Sequence, residues 1–125
     1  MLMYLLRSML NSFLLTVLIP VALIIAGCSS ASKYDTSTAQ GAYQYAEELE
    51  KNERYEEALQ NFTDVKNKHP YSQFAVLAEL RIADIHYKRE AFIEAQSAYQ
   101  LFKEFHPKHP QVAYVTFRLA MSCFN

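Results

Sequence analysis

The pattern of apolar and polar residues changes twice along the chain and divides it into three segments. Met9 to Ile25 is almost wholly apolar, and Ser29 to Thr38 is small and polar. From Ala39 onward, apolar residues recur three and four positions apart, which is the spacing of one face of an α-helix. We therefore expect an apolar N-terminal segment, a short polar connection and a helical region.

Two apolar stripes in the helical region are separated by the wholly polar run Lys51-Asn52-Glu53-Arg54. The stripes consist of Ala42, Tyr45, Ala46 and Leu49, and then Tyr55, Ala58, Leu59, Phe62 and Val65. The polar run fits a short turn between antiparallel helices. Proline disfavours helical geometry in the residue before it, so we expect His69-Pro70 to end the second helix. Ser72 is then well placed to cap the next helix.

The helical region repeats with a period of 37 residues. Positions that match across one period include Ala58 and Ala95, Phe62 and Tyr99, Pro70 and Pro107, and Arg81 and Arg118. A fixed period of 20 to 50 residues is typical of stacked units, each of which buries its apolar face against its neighbours. The pattern predicts an all-α solenoid of antiparallel helix pairs over residues 39–125. Its units are 39–70, 71–107 and an incomplete third unit, 108–125.

The N-terminal segment is typical of a secretory signal that precedes a lipidated cysteine. The apolar run ends in Ile25-Ala26-Gly27-Cys28, which resembles the lipobox of bacterial lipoproteins. That resemblance implies a signal peptide at 1–27, a diacylglycerol on Cys28 and a flexible tether at 28–38. An uncleaved transmembrane anchor is the alternative, although Pro20 and the small residues before Cys28 count against it. Both alternatives place the folded part outside the cytoplasm.

The charge and the cysteine content of the chain limit the functions and the covalent links that we expect for it. The chain has 12 basic and 13 acidic residues without blocks of one sign, so no basic surface for nucleic acid is predicted. If Cys28 is lipidated, Cys123 has no partner for an internal disulfide. Cys123 aligns with Leu49 and His86 of the earlier units, and we expect a buried structural thiol there. No cofactor is expected other than the covalent lipid on Cys28.

The repeated positions resemble those of the tetratricopeptide repeat family. The matching residues are Ala46-x-x-Leu49, Tyr55-Glu56-Glu57-Ala58, Phe62, Val65 and Pro70. In such repeats the small residues lie where two helices cross, and the aromatic residues fill the gaps beside them. The chain departs from the family at Ala46 and Ala83, where glycine is usual, and at Glu53 and Glu90, where a turn glycine is common. Its period is also longer than the family's usual 34 residues.

Several features together resemble the BamD family, the outer-membrane lipoproteins of the β-barrel assembly machinery. They are the lipobox, the polar tether, the long repeats, and the strings His69-Pro70-Tyr71-Ser72 and His106-Pro107-Lys108-His109-Pro110. The resemblance covers the whole chain, as the N-terminal part of such a protein with further repeats to follow. It implies a non-enzymatic scaffold that is lipid-anchored on the periplasmic side of the outer membrane. The implied partners are the barrel-assembly subunit, the other lipoproteins of the machinery and unfolded outer-membrane proteins.

The outward positions of the first helix in each unit form the candidate site. Tetratricopeptide arrays usually bind extended peptides on this concave face, and the positions here are Tyr43, Glu47, Leu77, Leu80, Asp84, Tyr87, Tyr114 and Phe117. Such residues suit a segment with alternating aromatic side chains and a terminal carboxylate, such as the end of a β-barrel strand. For Leu80 and Phe117, a place in the core is an equal alternative.

The histidines and acidic residues do not have the pattern of a catalytic or metal site. His106 and His109 are three residues apart, but Pro107 and Pro110 break any helix that would align their rings. We expect these histidines to contact the negative end of the preceding helix. Five glutamates are typical of a solvated helix face, in which Glu50 would pair with Arg54; they are Glu47, Glu48, Glu50, Glu56 and Glu57.

Two other functions are compatible with the same pattern. One is a tetratricopeptide lipoprotein that pilots a pilus or secretion pore. The other is the repeat region of an envelope enzyme whose catalytic domain lies beyond residue 125. Further long repeats after residue 125 would favour a scaffold, whereas a catalytic triad or a metal motif there would favour the enzyme.

Overall fold

The computed structural model describes residues 1, 3, 4, 7 and 33–124. The chain divides into two units, Met1–Ala31 and Ser32–Asn125, and the account below concerns the second. Cys28, the predicted cleavage site before it and the start of the predicted tether lie outside the described residues.

The described part of the second unit contains five α-helices and no strand. They are α1 Ala39–Lys51, α2 Tyr55–Lys68, α3 Gln73–Lys88, α4 Phe92–Phe105 and α5 Val112–Cys123. Each helix packs against the next one along the chain, and α1 also contacts α3. The predicted all-α solenoid of tetratricopeptide type is confirmed.

The helix ends fall where the local sequence predicts them. Ser72 caps α3, since its side-chain oxygen accepts a hydrogen bond of 3.2 Å from the N–H of Ala75. The polar run between Leu49 and Tyr55 forms the turn from α1 to α2, and both α2 and α4 end directly before a His-Pro pair. Local capping and proline geometry therefore account for these boundaries.

Fully buried alanines lie in the core of each helix pair. Ala46 of α1 and Ala58 of α2 are 0% exposed and share one core cluster. Ala83 of α3 and Ala95 of α4 repeat this arrangement, also at 0%, in a second cluster. The largest fully buried side chains are Tyr99, Phe62 and Phe102. Since small residues allow two helices to approach closely, an alanine on each helix sets the spacing of the pair.

A hydrogen-bonded turn leads the chain into α1. The carboxylate of Asp35 accepts hydrogen bonds from the N–H and the hydroxyl of Ser37, which lowers the pKa of Asp35. Thr38 caps α1 by accepting a 3.0 Å hydrogen bond from the N–H of Gly41. A Cβ atom on Gly41 would lie 2.0 Å from the Asp35 carbonyl oxygen, which leaves no room for a side chain. Residues 35–38, at the end of the predicted tether, thus form a turn against α1.

Glu53 and Glu90 adopt the left-handed backbone conformation, with φ of 59° and 61°. Beside Glu53, the N–H of Arg54 donates to the carbonyl of Leu49 at 2.9 Å, while Glu53 itself donates to Glu50 at 3.0 Å. The turn at Glu90 repeats both hydrogen bonds one period later. These are the bonds of the Schellman motif, in which glycine is the usual left-handed residue. The two glutamates, already unusual for the family, therefore carry backbone strain.

The aligned positions Leu49, His86 and Cys123 have different surroundings. Leu49 is buried, His86 is half-buried and Cys123 is exposed. Burial lowers the pKa of His86 below its ordinary value. The prediction of a buried Cys123 thiol is wrong, and the neighbouring Ser122 is buried instead. Helix α2 packs against α1, and α4 packs against α3. Because α5 is the last helix among the described residues, no later described helix packs against it.

Arginine side chains link each unit to the one before it. Arg81 Nη2 lies 2.7 Å from Oε2 of Glu50, a carboxylate whose side chain is only 2% exposed, and Lys88 Nζ lies 2.6 Å from Oε1. One period later, the guanidinium of Arg118 lies 4.4 Å from the ring centre of Tyr87. Arg81 and Arg118 are equivalent in the repeat, and so are Glu50 and Tyr87. The same geometry therefore holds an ion pair at one junction and a cation–π contact at the next.

Glu50 corrects the prediction of a wholly solvated acidic face. Its expected partner Arg54 pairs instead with Glu57. The members of the predicted face that are exposed are Glu48, Glu56 and Glu57. Glu50 is buried because it faces α3, which supplies the two cations that neutralise it.

Replacing Glu53 or Glu90 with glycine should stabilise the protein. Glycine removes the steric cost of the left-handed conformation but loses more backbone freedom on folding, so we expect each change to raise the free energy of unfolding by about 1 kcal/mol. Urea unfolding followed by circular dichroism measures this. Asn52→Gly is the matched control, because Asn52 has φ of −88° and its replacement should be destabilising. Equal destabilisation by Glu53→Gly and Asn52→Gly would contradict the assignment of strain.

Replacing the two cations that contact Glu50 should lower the free energy of unfolding more than replacing the two cations and Glu50 together. In the Arg81→Met, Lys88→Met double variant, a buried carboxylate loses its partners, and we expect a loss of about 3 kcal/mol in the free energy of unfolding. Adding Glu50→Leu removes that charge and should recover most of the loss. Denaturant titration of the wild type and both variants measures this. A triple variant no more stable than the double one would show that the carboxylate is not the source of the cost.

Candidate binding groove

The first helices of the three units line a groove of about 630 Å³. The lining combines residues of α1, α3 and the start of α5 with the loop before α5: Tyr43, Leu77, Leu80, Arg81, Asp84, Pro110, Gln111, Ala113 and Tyr114. Aromatic and aliphatic side chains thus stand beside one guanidinium and one carboxylate. This combination of apolar surface with a few polar groups is typical of binding sites.

Five of the eight predicted positions line this groove, namely Tyr43, Leu77, Leu80, Asp84 and Tyr114. Glu47 lines a neighbouring groove, which shares Arg81 with the first. Tyr87 and Phe117 are not part of either lining. Leu80 is buried in the second core cluster and reaches the groove from there. Phe117 is 60% exposed, so it lies on the surface and not in the core.

Asp84 joins three helices beside the groove. Its Oδ1 atom accepts a hydrogen bond of 2.7 Å from the hydroxyl of Tyr99 in α4 and one of 2.8 Å from Tyr114 in α5. Burial, and then the bond to Asp84, raise the pKa of the Tyr99 hydroxyl, while burial is the main cause of the raised pKa of Tyr114. Both hydroxyls therefore keep their protons and act as donors. The carboxylate of α3 thus fixes the position of Tyr114 in the groove wall.

Arg118 extends this network along the concave face. Its Nε donates a hydrogen bond of 2.9 Å to the Tyr114 hydroxyl, which raises the pKa of Arg118. Its guanidinium lies 4.4 Å from the ring centre of Tyr87 and 5.4 Å from that of Tyr114. Tyr87, which we predicted as a groove residue, instead serves as the platform for this arginine. Its ring also meets Phe92 edge to face.

The second groove, of about 530 Å³, follows α1 and α3 toward their C-terminal ends. Its lining is Tyr34, Gln44, Glu47, Glu48, Glu50, Lys51, Arg81 and Lys88. This lining is mostly charged, and it holds the buried ionic cluster of Glu50. Burial and the adjacent Glu47 carboxylate raise the pKa of Tyr43, in the wall of the first groove. The two grooves meet at Arg81, so the concave face passes from a part of mixed apolar and polar side chains to a mostly charged part.

The histidines lie away from this face. His106 Nε2 lies 2.7 Å from Oε2 of Glu79 in α3, and the rings of His106 and His109 both pack on Phe102. Glu79 and Phe102 thus position these rings, and the contact with the carbonyl end of α4 stays a prediction. Among residues 33–124, no group of three His, Cys, Asp or Glu side chains is arranged to hold a metal ion.

The sequence prediction of the site omitted Arg81 and Lys88, which line the grooves, and Arg118, which holds Tyr87 and Tyr114. The repeat indicated the two arginines, because Arg81 and Arg118 are equivalent and so are their contacts Glu50 and Tyr87. Apolar stripes identify residues of the core, whereas Arg81, Lys88 and Arg118 make contacts across the junctions between units. A comparison of charged residues at equivalent repeat positions could have identified both arginines.

No helix within the described residues is long and apolar enough to cross a membrane. A family model described as YfiO, outer membrane lipoprotein, matches residues 35–125. The matched segment includes all five described helices and well over half of the chain. The chain therefore belongs to the YfiO family of outer membrane lipoproteins.

Proposed function

We propose that this protein is a non-enzymatic scaffold of the β-barrel assembly machinery, like the BamD proteins that it resembles. A lipid on Cys28 holds it at the periplasmic side of the outer membrane. Its concave face receives segments of unfolded outer-membrane proteins, and its other partners are the barrel-assembly subunit and further lipoproteins of the machinery. Membership of the outer membrane lipoprotein family supports the location, and the groove supports the binding role.

The groove around Arg81 is the observation that carries the binding role. Tyr114 and Leu77 offer aromatic and aliphatic surface, on which the side chains of an extended segment can pack, whereas Tyr43 is buried in the first core cluster beneath the groove. Arg81 borders both grooves and is paired with Glu50, but the cluster of Arg81, Lys88 and Glu50 keeps one net positive charge, which suits a terminal carboxylate. Asp84 is already engaged by two tyrosine hydroxyls, so the tyrosine in the groove wall is held in place before a ligand arrives.

Membrane fractionation, lipid labelling and copurification from the cell envelope test this function. The wild-type protein should carry the lipid label, sediment with the outer membrane and copurify with the barrel-assembly subunit. Cys28→Ala should lose the label and either leave the membrane or remain as the uncleaved precursor. Cys123→Ala is the matched control, because Cys123 is exposed and lies in the helical region, so labelling and location should not change.

Two results would contradict the proposal. A Cys28→Ala variant with unchanged mature size and unchanged label would exclude the lipid anchor. Copurification of a pilus secretin in place of the barrel-assembly subunit would favour the alternative function as a pilot protein.

A further inference from the structure

The chain enters the solenoid along the edge that also carries the loops between units. Thr36, just before α1, lines a small groove together with Lys68 and His69, at the end of α2. Lys66 of α2 and Phe105 of α4 line a second small groove, so the C-terminal ends of these two helices are neighbours. The entering chain and the loops 69–72 and 106–111 therefore lie along one edge, which we call the loop edge.

The loop edge exposes large aromatic side chains next to lysines. Tyr71 is 102% exposed and Phe105 is 72% exposed. Lys108 is also exposed, and it occupies the repeat position of Tyr71 in the next loop. Lys68 is exposed as well, with its ammonium group 2.8 Å from Asp64 Oδ2. Exposed aromatic rings beside lysines are typical of surfaces that lie in the headgroup region of a membrane.

The carboxylates near this edge are already engaged. Asp64 is paired with Lys68, and Asp35 accepts two hydrogen bonds from Ser37. Glu104, beside Phe105, accepts a hydrogen bond from the side-chain amide of Gln100 at 2.8 Å. The pairing with Lys68 offsets the charge of Asp64, whereas the neutral donors Ser37 and Gln100 leave Asp35 and Glu104 negatively charged.

The anchor proposed above limits how far this edge can move from the bilayer. Lys33, the first residue of the described region, lies five residues after Cys28 in the sequence. Even fully extended, such a segment spans at most about 18 Å. Because the chain enters at the loop edge, this edge is the part of the domain that the tether keeps nearest to the lipid. Weak contacts by single side chains are then strengthened by the high local concentration of membrane.

From these observations we propose that the loop edge docks on the phospholipid surface, with Tyr71 and Phe105 inserted at the boundary between headgroups and acyl chains. Lys68 and Lys108 lie at the level of the phosphates. The inference rests on the lipid anchor of the proposed function. The edge thereby supplies a second membrane contact, which supplements the acyl chains and orients the solenoid.

Single tryptophan reporters in the full-length lipidated protein test this inference. The chain contains no tryptophan, so Tyr71→Trp and Phe105→Trp each introduce one unique fluorophore. Ile93→Trp is the matched control, since Ile93 is 78% exposed on the same helix as Phe105. It lies twelve residues away from Phe105, or about 18 Å along the helix axis. The variants are reconstituted into vesicles of phosphatidylethanolamine and phosphatidylglycerol whose acyl chains are brominated.

We expect brominated lipid to quench the Tyr71→Trp and Phe105→Trp variants several-fold more strongly than the Ile93→Trp variant. Circular dichroism verifies that each variant keeps the helical content of the wild type. Protein that floats with the vesicles but shows no greater quenching at positions 71 and 105 than at 93 would overturn this inference alone. Protein that does not float would overturn the lipid anchor and this inference with it.

Discussion

The close approach of two helices at buried alanines is the constraint on which the rest of the structure depends. Ala46 with Ala58, and Ala83 with Ala95, leave no exposed surface and lie in successive core clusters. Larger side chains at these positions would separate the helices and overpack the core. Because the constraint recurs with the period of the chain, it places the first helix of every unit on the same side. The concave face is therefore a consequence of packing within the pairs.

Contacts between units fix the relative positions of the helices and so shape the surface that the helices line. Arg81 reaches back to the buried carboxylate of Glu50, and Arg118 reaches back to the ring of Tyr87. Asp84 then ties α3 to α4 and α5 through two tyrosine hydroxyls. Arg81, Glu50, Asp84 and Tyr114 take part in these contacts and also line the grooves, whereas Arg118 and Tyr87 line neither. Contacts that stabilise the array of units thus also shape the grooves.

The parts of the fold that depend on local sequence could be predicted. The parts that depend on contacts with neighbouring units were harder to predict. Apolar spacing, the Ser72 cap and the His-Pro stops predicted the helices, because these features act within one helix or turn. Glu50 was placed on the wrong face, since its burial depends on cations that lie in the next unit. Five of the predicted positions line the groove, and one of them, Leu80, also lies in the core, which was the alternative that the sequence left open. The role of Cys28 rests on its motif alone, because it lies outside the described residues.

The most direct test of the central claim is site-specific photocrosslinking in living cells, with a benzophenone side chain placed at Ala113. Ala113 is exposed and lines the groove, whereas Gln100 on α4 is also exposed but lines neither groove, so it is the control position. The account predicts crosslinks to newly exported outer-membrane proteins that are several-fold stronger from position 113 than from position 100. Equal crosslinking from both positions, or none from position 113, would contradict the claim that the concave face is the binding surface.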